Sequence, residues 1–204
     1  GLSRTLMEKI AKNKPNAISL LSIQYRMNEV IMQFPSYIFY RNELKAAPEV
    51  KHRGILELDT PIVWYDTADC NLTEDTLQNN MSRINRTEAI LLIKELQAYI
   101  EKITQKRVLE ERIDFGIISP YKAQVHYLRS LIMENDFFET IRSLITVHTV
   151  DGFQGQERDV IVISLVRANE NGQIGFLNDL RRMNVAITRA RMKLIILGDA
   201  STLG

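Results

Sequence analysis

The chain has 204 residues, of which 45% are hydrophobic and 25% charged, and 26 Lys plus Arg stand against 25 Asp plus Glu for a net charge of +1. That balance belongs to a globular protein long enough for one α/β domain, and it excludes a disordered tail, a collagen-like rod and a coiled coil. Cys70 is the only cysteine and the three histidines (His52, His126 and His148) are scattered, so neither a disulfide nor a metal site is expected. The longest apolar run, Val160 to Val166 with Ser164 inside, is too short to cross a membrane, and no basic-then-apolar segment opens the chain. A start at Gly1 rather than Met is expected of a fragment, though a tag scar would look the same.

In chain order, Ser3–Lys12 carries Leu6, Met7 and Ile10 at helical spacing, and Ala17–Leu21 reads as a strand. Asn28–Phe39 reads as a helix with Pro35 as its kink or stop. Residues 41–84 are polar and punctuated by Pro48, Gly54 and Pro61, with a Thr/Glu/Asn-rich stretch from Asn71 to Asn80. They predict a loop-rich excursion around a short strand pair, with a strand at Ile62–Tyr65. Asn85 and Glu88 have capping-box spacing and open an amphipathic helix through Ala89, Leu92, Leu96 and Tyr99. Phe115–Ser119 is a strand. Ser119 and Pro120 then read as the cap and first turn of a helix through Val125, Leu128 and Ile132. Further strands are expected at Leu144–His148, Val160–Leu165 and Lys193–Gly198, with a helix at Leu177–Ala190. Continuous β-branched runs suit strands covered on both faces, and strands alternating with helices give a three-layer α/β/α domain on a mainly parallel sheet.

No Gly-x-x-x-x-Gly-Lys-Ser/Thr loop and no Gly-x-Gly-x-x-Gly turn is present, so a complete phosphate cradle is absent from this sequence. Four polar segments nevertheless exceed what core packing needs. Gln24-Tyr25-Arg26-Met27 follows a strand and on its own reads as a strand-to-helix turn with a solvated arginine, or else as an arginine placed where α/β ligands commonly sit. Ser119-Pro120-Tyr121-Lys122-Ala123-Gln124 puts a helix start, an aromatic face and a lysine at the mouth of the sheet, a surface suited to phosphate and base. Thr146 to Glu157 runs a strand into a loop dense in Gly and Gln, where glycine allows close backbone approach. Arg181 to Arg191 is a basic helix, closely packed through Ala186 and Ala190, that would hold an arginine firmly.

Taken together these segments resemble the superfamily 1B helicases of the up-frameshift, senataxin, immunoglobulin-mu-binding and Dna-two-like type, and specifically their second, RecA-like domain. Gln24-Tyr25-Arg26-Met27 with Phe34-Pro35-Ser36 and Phe39-Tyr40 is similar to motif IV. Ser119 to Gln124 is similar to motif IVa, Thr149 to Ile161 to motif V, and Asn184 to Arg191 to motif VI. The resemblance runs nearly end to end and treats residues 1–204 as one domain with the excursion inside it; residues 66–84 match no motif, and the sequence stops at Gly204, where family members usually add a closing helix. It implies a first RecA-like domain elsewhere in the parent protein, carrying the P-loop and the Mg²⁺-binding acids, with ATP held between the two. On this side Arg26 and Arg189 would reach the γ-phosphate as catalytic arginines, Gln24 and Tyr25 would wall the nucleotide, and Glu157 would accept from the ribose with Gly155 allowing approach. Ser119, Pro120, Tyr121, Lys122, Thr146 and His148 would contact single-stranded DNA or RNA. The implied activity is an ATP-dependent helicase or translocase, inactive as this fragment alone, monomeric and cytoplasmic, or nuclear in a eukaryote. The alternative is a nucleic-acid-binding module without a motor.

Overall fold

The computed structural model describes residues 13, 21–68, 75–76, 82–167 and 180–203, with backbone alone at 75–76 and 202–203. The helix expected at Ser3–Lys12 lies outside these residues, as do Cys70, most of Asn71–Asn80 and residues 177–179. The strand expected at Ala17–Leu21 also lies outside them except for Leu21, which is exposed and not in a strand.

The described elements are β1 (Ile23–Gln24), α1 (Glu29–Phe39), β2 (Lys45–Ala46), α2 (Pro48–Lys51), β3 (Ile62–Asp66), β4 (Asp75–Thr76), β5 (Arg83–Ile84), α3 (Arg86–Ile103), α4 (Gln105–Glu111), β6 (Phe115–Ser119), α5 (Lys122–Glu134), β7 (Ile145–Thr149), β8 (Arg158–Ser164), α6 (Leu180–Ile187), β9 (Ala190–Gly198) and α7 (Ala200–Leu203). Two 3₁₀ segments, Asp136–Leu144 and Asp151–Phe153, flank β7. Five strands form one sheet in the order β3-β9-β8-β6-β7, with every pairing parallel. The excursion holds the edge strand β3 and a two-stranded antiparallel pair, β4 with β5.

Side-chain alternation along the strands splits the core in two. Ile117, Val160, Val162, Ile195 and Leu197 face one cluster with Leu92, Leu96, Leu128 and Phe138, beneath α3 and α5. Ile118, Ile161, Ile163, Leu194 and Ile196 face the other with Met27, Ile31, Ala186 and Ile187, beneath α1 and α6. The sheet is therefore covered on both sides, as its continuous apolar runs predicted. Among the described residues no helix is long and apolar enough to cross a membrane.

Three local expectations are corrected. Pro35 does not stop α1: it is inside the helix and buried, and the helix runs on to Phe39 as expected, with Asn28 as N-cap, its side chain accepting from the Val30 amide. Ser119 does not cap α5. It stays in the ladder opposite Thr149, and the helix starts at Lys122 after Tyr121, so Pro120 serves as the exit from the strand. Ala190 belongs to β9, not to the preceding helix, because it pairs with Arg158 and the residues after it pair with the rest of β8.

Candidate functional site

Because the strands are parallel, the sheet has two distinct edges, and the sequence-derived site residues divide between them. At the edge where β8 and β9 begin, three segments converge. The Asn28 amide donates to the Arg191 carbonyl (2.8 Å), the Arg158 amide to the Arg189 carbonyl (2.9 Å), and Arg26 Nη1 to the Thr188 carbonyl (3.2 Å). Arg26 thus follows the short strand β1, but it sits beside the N-terminal edge of the main sheet, not the C-terminal edge that the position after a strand implied.

The Gln24 side chain is folded into its own turn. Its Oε1 accepts from the Arg26 amide (2.8 Å) and the Met27 amide (2.7 Å), and Nε2 donates to the Met27 carbonyl (2.7 Å). Gln24 therefore shapes the Arg26 turn and has little left to offer a ligand, whereas Tyr25 next to it is 68% exposed. Arg189 donates from Nη1 to the Gln156 carbonyl (3.1 Å) and from Nη2 to Thr188 Oγ1 (3.3 Å). Its buried Nε has no partner among the described residues. Burial, and then the charge of Arg26 beside it, hold the Arg189 guanidinium below its ordinary pKa. Two neighbouring guanidiniums, one of them with a donor that has no partner among the described residues, are chemically able to receive an anion. Gly155 stands alongside with φ +80, where a β-carbon would meet nothing within 4 Å. It is glycine for its backbone conformation, and the space beside it is open.

Glu157 is the acid of this edge. One carboxylate oxygen is ion-paired with Arg26 Nε and the other with Arg191 Nη1 (3.3 Å). Arg191 is a hub that sequence reasoning did not single out. Its Nε donates to Asp159 Oδ1 (2.9 Å) and its Nη2 to Asp114 Oδ1 (2.9 Å), while each of the two aspartates accepts from the other's amide (3.1 and 2.6 Å). Burial lowers the Arg191 pKa, but the aspartate charges outweigh it and hold it raised; Asp159 is raised, chiefly by burial. Asp114 is 45 residues from Asp159 and 77 from Arg191. No spacing signal links the three.

The opposite edge, where β6 and β7 end, gathers Pro120, Tyr121, Lys122 and His148. A groove of about 270 Å³ is lined by Lys122, Val125, His126, Arg129, His148 and Thr149. Arg129 is anchored through Nε and Nη2 to the Val147 carbonyl, and His126 is exposed. Sequence reasoning missed His126 and Arg129, though Lys122, His126 and Arg129 follow i, i+4, i+7 spacing on one helix face. Ser119 is fully buried and its hydroxyl accepts from the Tyr121 amide (3.5 Å), so its side chain does not reach this surface. Thr146 lies lower on β7, opposite Gly116, and its hydroxyl accepts from Arg158 Nη2 (3.2 Å). Gln124 is buried as well, away from the mouth where its neighbours stand. The loop from Thr149 to Glu157 joins the two edges. Its Gly152 is needed by His148, since a β-carbon there would lie 2.0 Å from the imidazole Nδ1. Among the described residues no group of three or more His, Cys, Asp or Glu could hold a metal ion.

Comparison with known proteins bears on this arrangement. A family model described as an AAA domain matches residues 2–201. The chain is 39% identical over its whole length to DNA polymerase alpha-associated DNA helicase A of Saccharomyces cerevisiae, covering 31% of that protein. It is 41% identical over 99% of its length to an ATP-dependent helicase of Methanocaldococcus jannaschii, covering 30% of it. It is 37% identical over 98% of its length to helicase sen1 of Schizosaccharomyces pombe, covering 12% of it. The chain spans about a third or less of the length of these relatives.

Proposed function

Because the chain belongs to the AAA-domain family, as the second RecA-like domain of the superfamily 1B helicases, we propose that it serves one motor on two opposite sheet edges. The edge with Arg26 and Arg189 completes an ATP site whose P-loop and Mg²⁺ ligands lie on the first RecA-like domain. The edge with Tyr121, Lys122 and His148 carries part of a single-stranded DNA or RNA track. The observation that carries this reading is the pair of adjacent guanidiniums, one half-buried with an unspent Nε, at an open edge beside Gly155.

In this reading Arg189 and Arg26 donate to the γ-phosphoryl oxygens and stabilise charge as the bond to the β-phosphate breaks. Glu157 exchanges its Arg26 ion pair for the ribose hydroxyls while Arg191 continues to orient it. Lys122 and His148 contact the strand backbone, and Tyr121 offers a face to a base. The Thr149–Glu157 loop touches both edges, so closure around nucleotide moves the strand contacts.

The test is ATP turnover of the full-length protein with and without single-stranded DNA and RNA of matched sequence. Stimulation by at least one polymer is expected. Absence of stimulation by either would favour a binding module without a motor. On the strand edge, Gly152→Ala should displace the His148 ring and weaken single-strand affinity about fivefold, read by fluorescence anisotropy of a labelled oligonucleotide. An unchanged affinity would remove His148 from the contact set.

A further inference from the structure

Glu88 takes no part in either edge as described, yet it is fully buried. Its spacing from Asn85 predicts a reciprocal capping box, and only half of one forms. The Glu88 amide donates to Asn85 Oδ1 (2.9 Å), but the Glu88 carboxylate does not return to the Asn85 amide, which donates instead to Gln124 Oε1 (3.0 Å). Glu88 Oε1 accepts from the Ser164 hydroxyl (2.5 Å) and from the Val166 amide (3.0 Å). Val166 has φ +71, a left-handed conformation that a β-branched residue strongly disfavours. It is gripped from both sides, because Asn85 Nδ2 also donates to its carbonyl (3.3 Å). Gln124 closes the net: its Nε2 donates to the Asn85 carbonyl (2.9 Å) and to Ser164 Oγ (3.0 Å).

Three segments far apart in sequence meet here: the start of α3, the first turn of α5 and the end of β8. Gln124 follows Lys122 by two residues and Tyr121 by three, so whatever fixes its carboxamide fixes the turn that presents them. Glu88 is held here at a cost. Burial pushes its carboxyl up to about 7, and the charge of Asp199 adds to this, against the bonds from Ser164 and from the Val166 and Leu165 backbone. A buried carboxyl whose Oε2 has no partner among the described residues, and whose Oε1 anchors strained backbone behind the turn of Tyr121 and Lys122, is placed for geometry rather than for stability.

We propose that Glu88 is the positioning residue of the strand-contacting edge, holding Ser164 and Val166 so that Gln124 fixes the turn of Tyr121 and Lys122. The proposal rests on the reading that this turn contacts single-stranded nucleic acid. It is tested in the full-length protein by titrating oligo(dT) and oligo(U) into an ATP turnover assay at pH 8. Glu88→Ala is expected to raise the half-activating strand concentration about tenfold while plateau turnover falls less than twofold. Glu88→Gln, whose carboxamide oxygen accepts the same two bonds, should stay within about twofold of wild type. Ser164→Ala, a smaller lesion that serves if Glu88→Ala fails to fold, should raise the half-activating concentration about threefold. A fall in plateau with no change in half-activating concentration would reduce Glu88 to a structural residue and overturn the proposal. So would a Glu88→Gln protein as impaired as Glu88→Ala, or a Ser164→Ala protein with wild-type activation. Wild-type turnover that neither polymer stimulates would defeat the functional reading itself, and the proposal with it.

Discussion

Replacing Arg189 with alanine is expected to lower ATP turnover of the full-length protein at least 10³-fold, a loss of about 4 kcal/mol of transition-state stabilisation. The residue is held by the Gln156 carbonyl and the Thr188 hydroxyl, and its Nε is unspent. Arg26 stands close enough to lower its pKa. Removing one of two like charges costs the fold little, since the hydrogen bonds lost are offset by relief of that repulsion. The melting temperature should therefore move by only a few degrees, and single-strand affinity, set at the other edge, should stay within about twofold of wild type. Arg189→Lys should remain deeply impaired, because an ammonium on a flexible stem cannot reproduce the planar fork. Steady-state turnover and oligonucleotide anisotropy on the same preparation check this. A variant that still turns over at a tenth of the wild-type rate would show that Arg189 is not at the reacting phosphate.

Arg191→Ala should do the reverse and damage the fold first. Arg191 neutralises Asp114 and Asp159, which hold each other's amides and lie partly buried, and it orients Glu157. Its removal leaves two carboxylates facing one another without a cation. A fully buried pair broken in this way costs about 3–5 kcal/mol; discounted for partial exposure, about 2 kcal/mol is expected, or roughly 4–8 °C in Tm for a domain of this size. The pH dependence follows from Asp159, whose pKa is already raised by burial and would rise further without the arginine. A carboxyl with a folded-state pKa above its unfolded value is stabilising when protonated, and loses that contribution as pH rises through the folded value. The stability gap between Arg191→Ala and wild type should accordingly be narrow near pH 4 and widen toward pH 8. Thermal melts at several pH values read it directly, and a gap that shrinks with rising pH would contradict the assignment.

These two arginines lie two residues apart in a single motif; the resemblance assigns Arg189 to the nucleotide and leaves Arg191 without a role. The difference comes from the strand: Arg189 precedes β9, while Arg191 is inside it and faces Asp159 on the neighbouring β8. Much else was legible. The runs at Phe115–Ser119, Val160–Leu165 and Lys193–Gly198 are central strands because β-branched side chains on both faces suit a sheet buried on both sides. The helix from Asn28 was legible in the spacing of Val30, Ile31 and Phe34, while its Asn28 cap was read only from the structure. What was not legible depends on contacts across many residues. The Gln124–Asn85 bonds span 39 residues, and the Glu88 carboxylate bonds span 76 and 78. The capping-box spacing of Glu88 therefore gave the right helix and the wrong partner for the carboxylate. Residue order also cannot assign a site to an edge of the sheet. Gln24 ends β1 and Tyr25 to Met27 follow it, but that strand belongs to a two-stranded accessory sheet beside the beginning of β9, and it is not the Ala17–Leu21 strand read from the sequence. The rule that ligands sit beyond strand C-termini describes where the Tyr121 and Lys122 turn lies, not where Arg26 lies.

The central claim is that one domain holds nucleotide at one sheet edge and a single strand at the other, with the Thr149–Glu157 loop joining them. Coupling of this kind is reciprocal, so nucleotide must change strand affinity. The direct measurement is the equilibrium affinity of the full-length protein for a labelled single strand, with and without a saturating non-hydrolysable ATP analogue at constant salt. A shift of about fivefold or more, abolished by Arg189→Ala, is the expected result. Equal affinity in the two conditions would contradict the account.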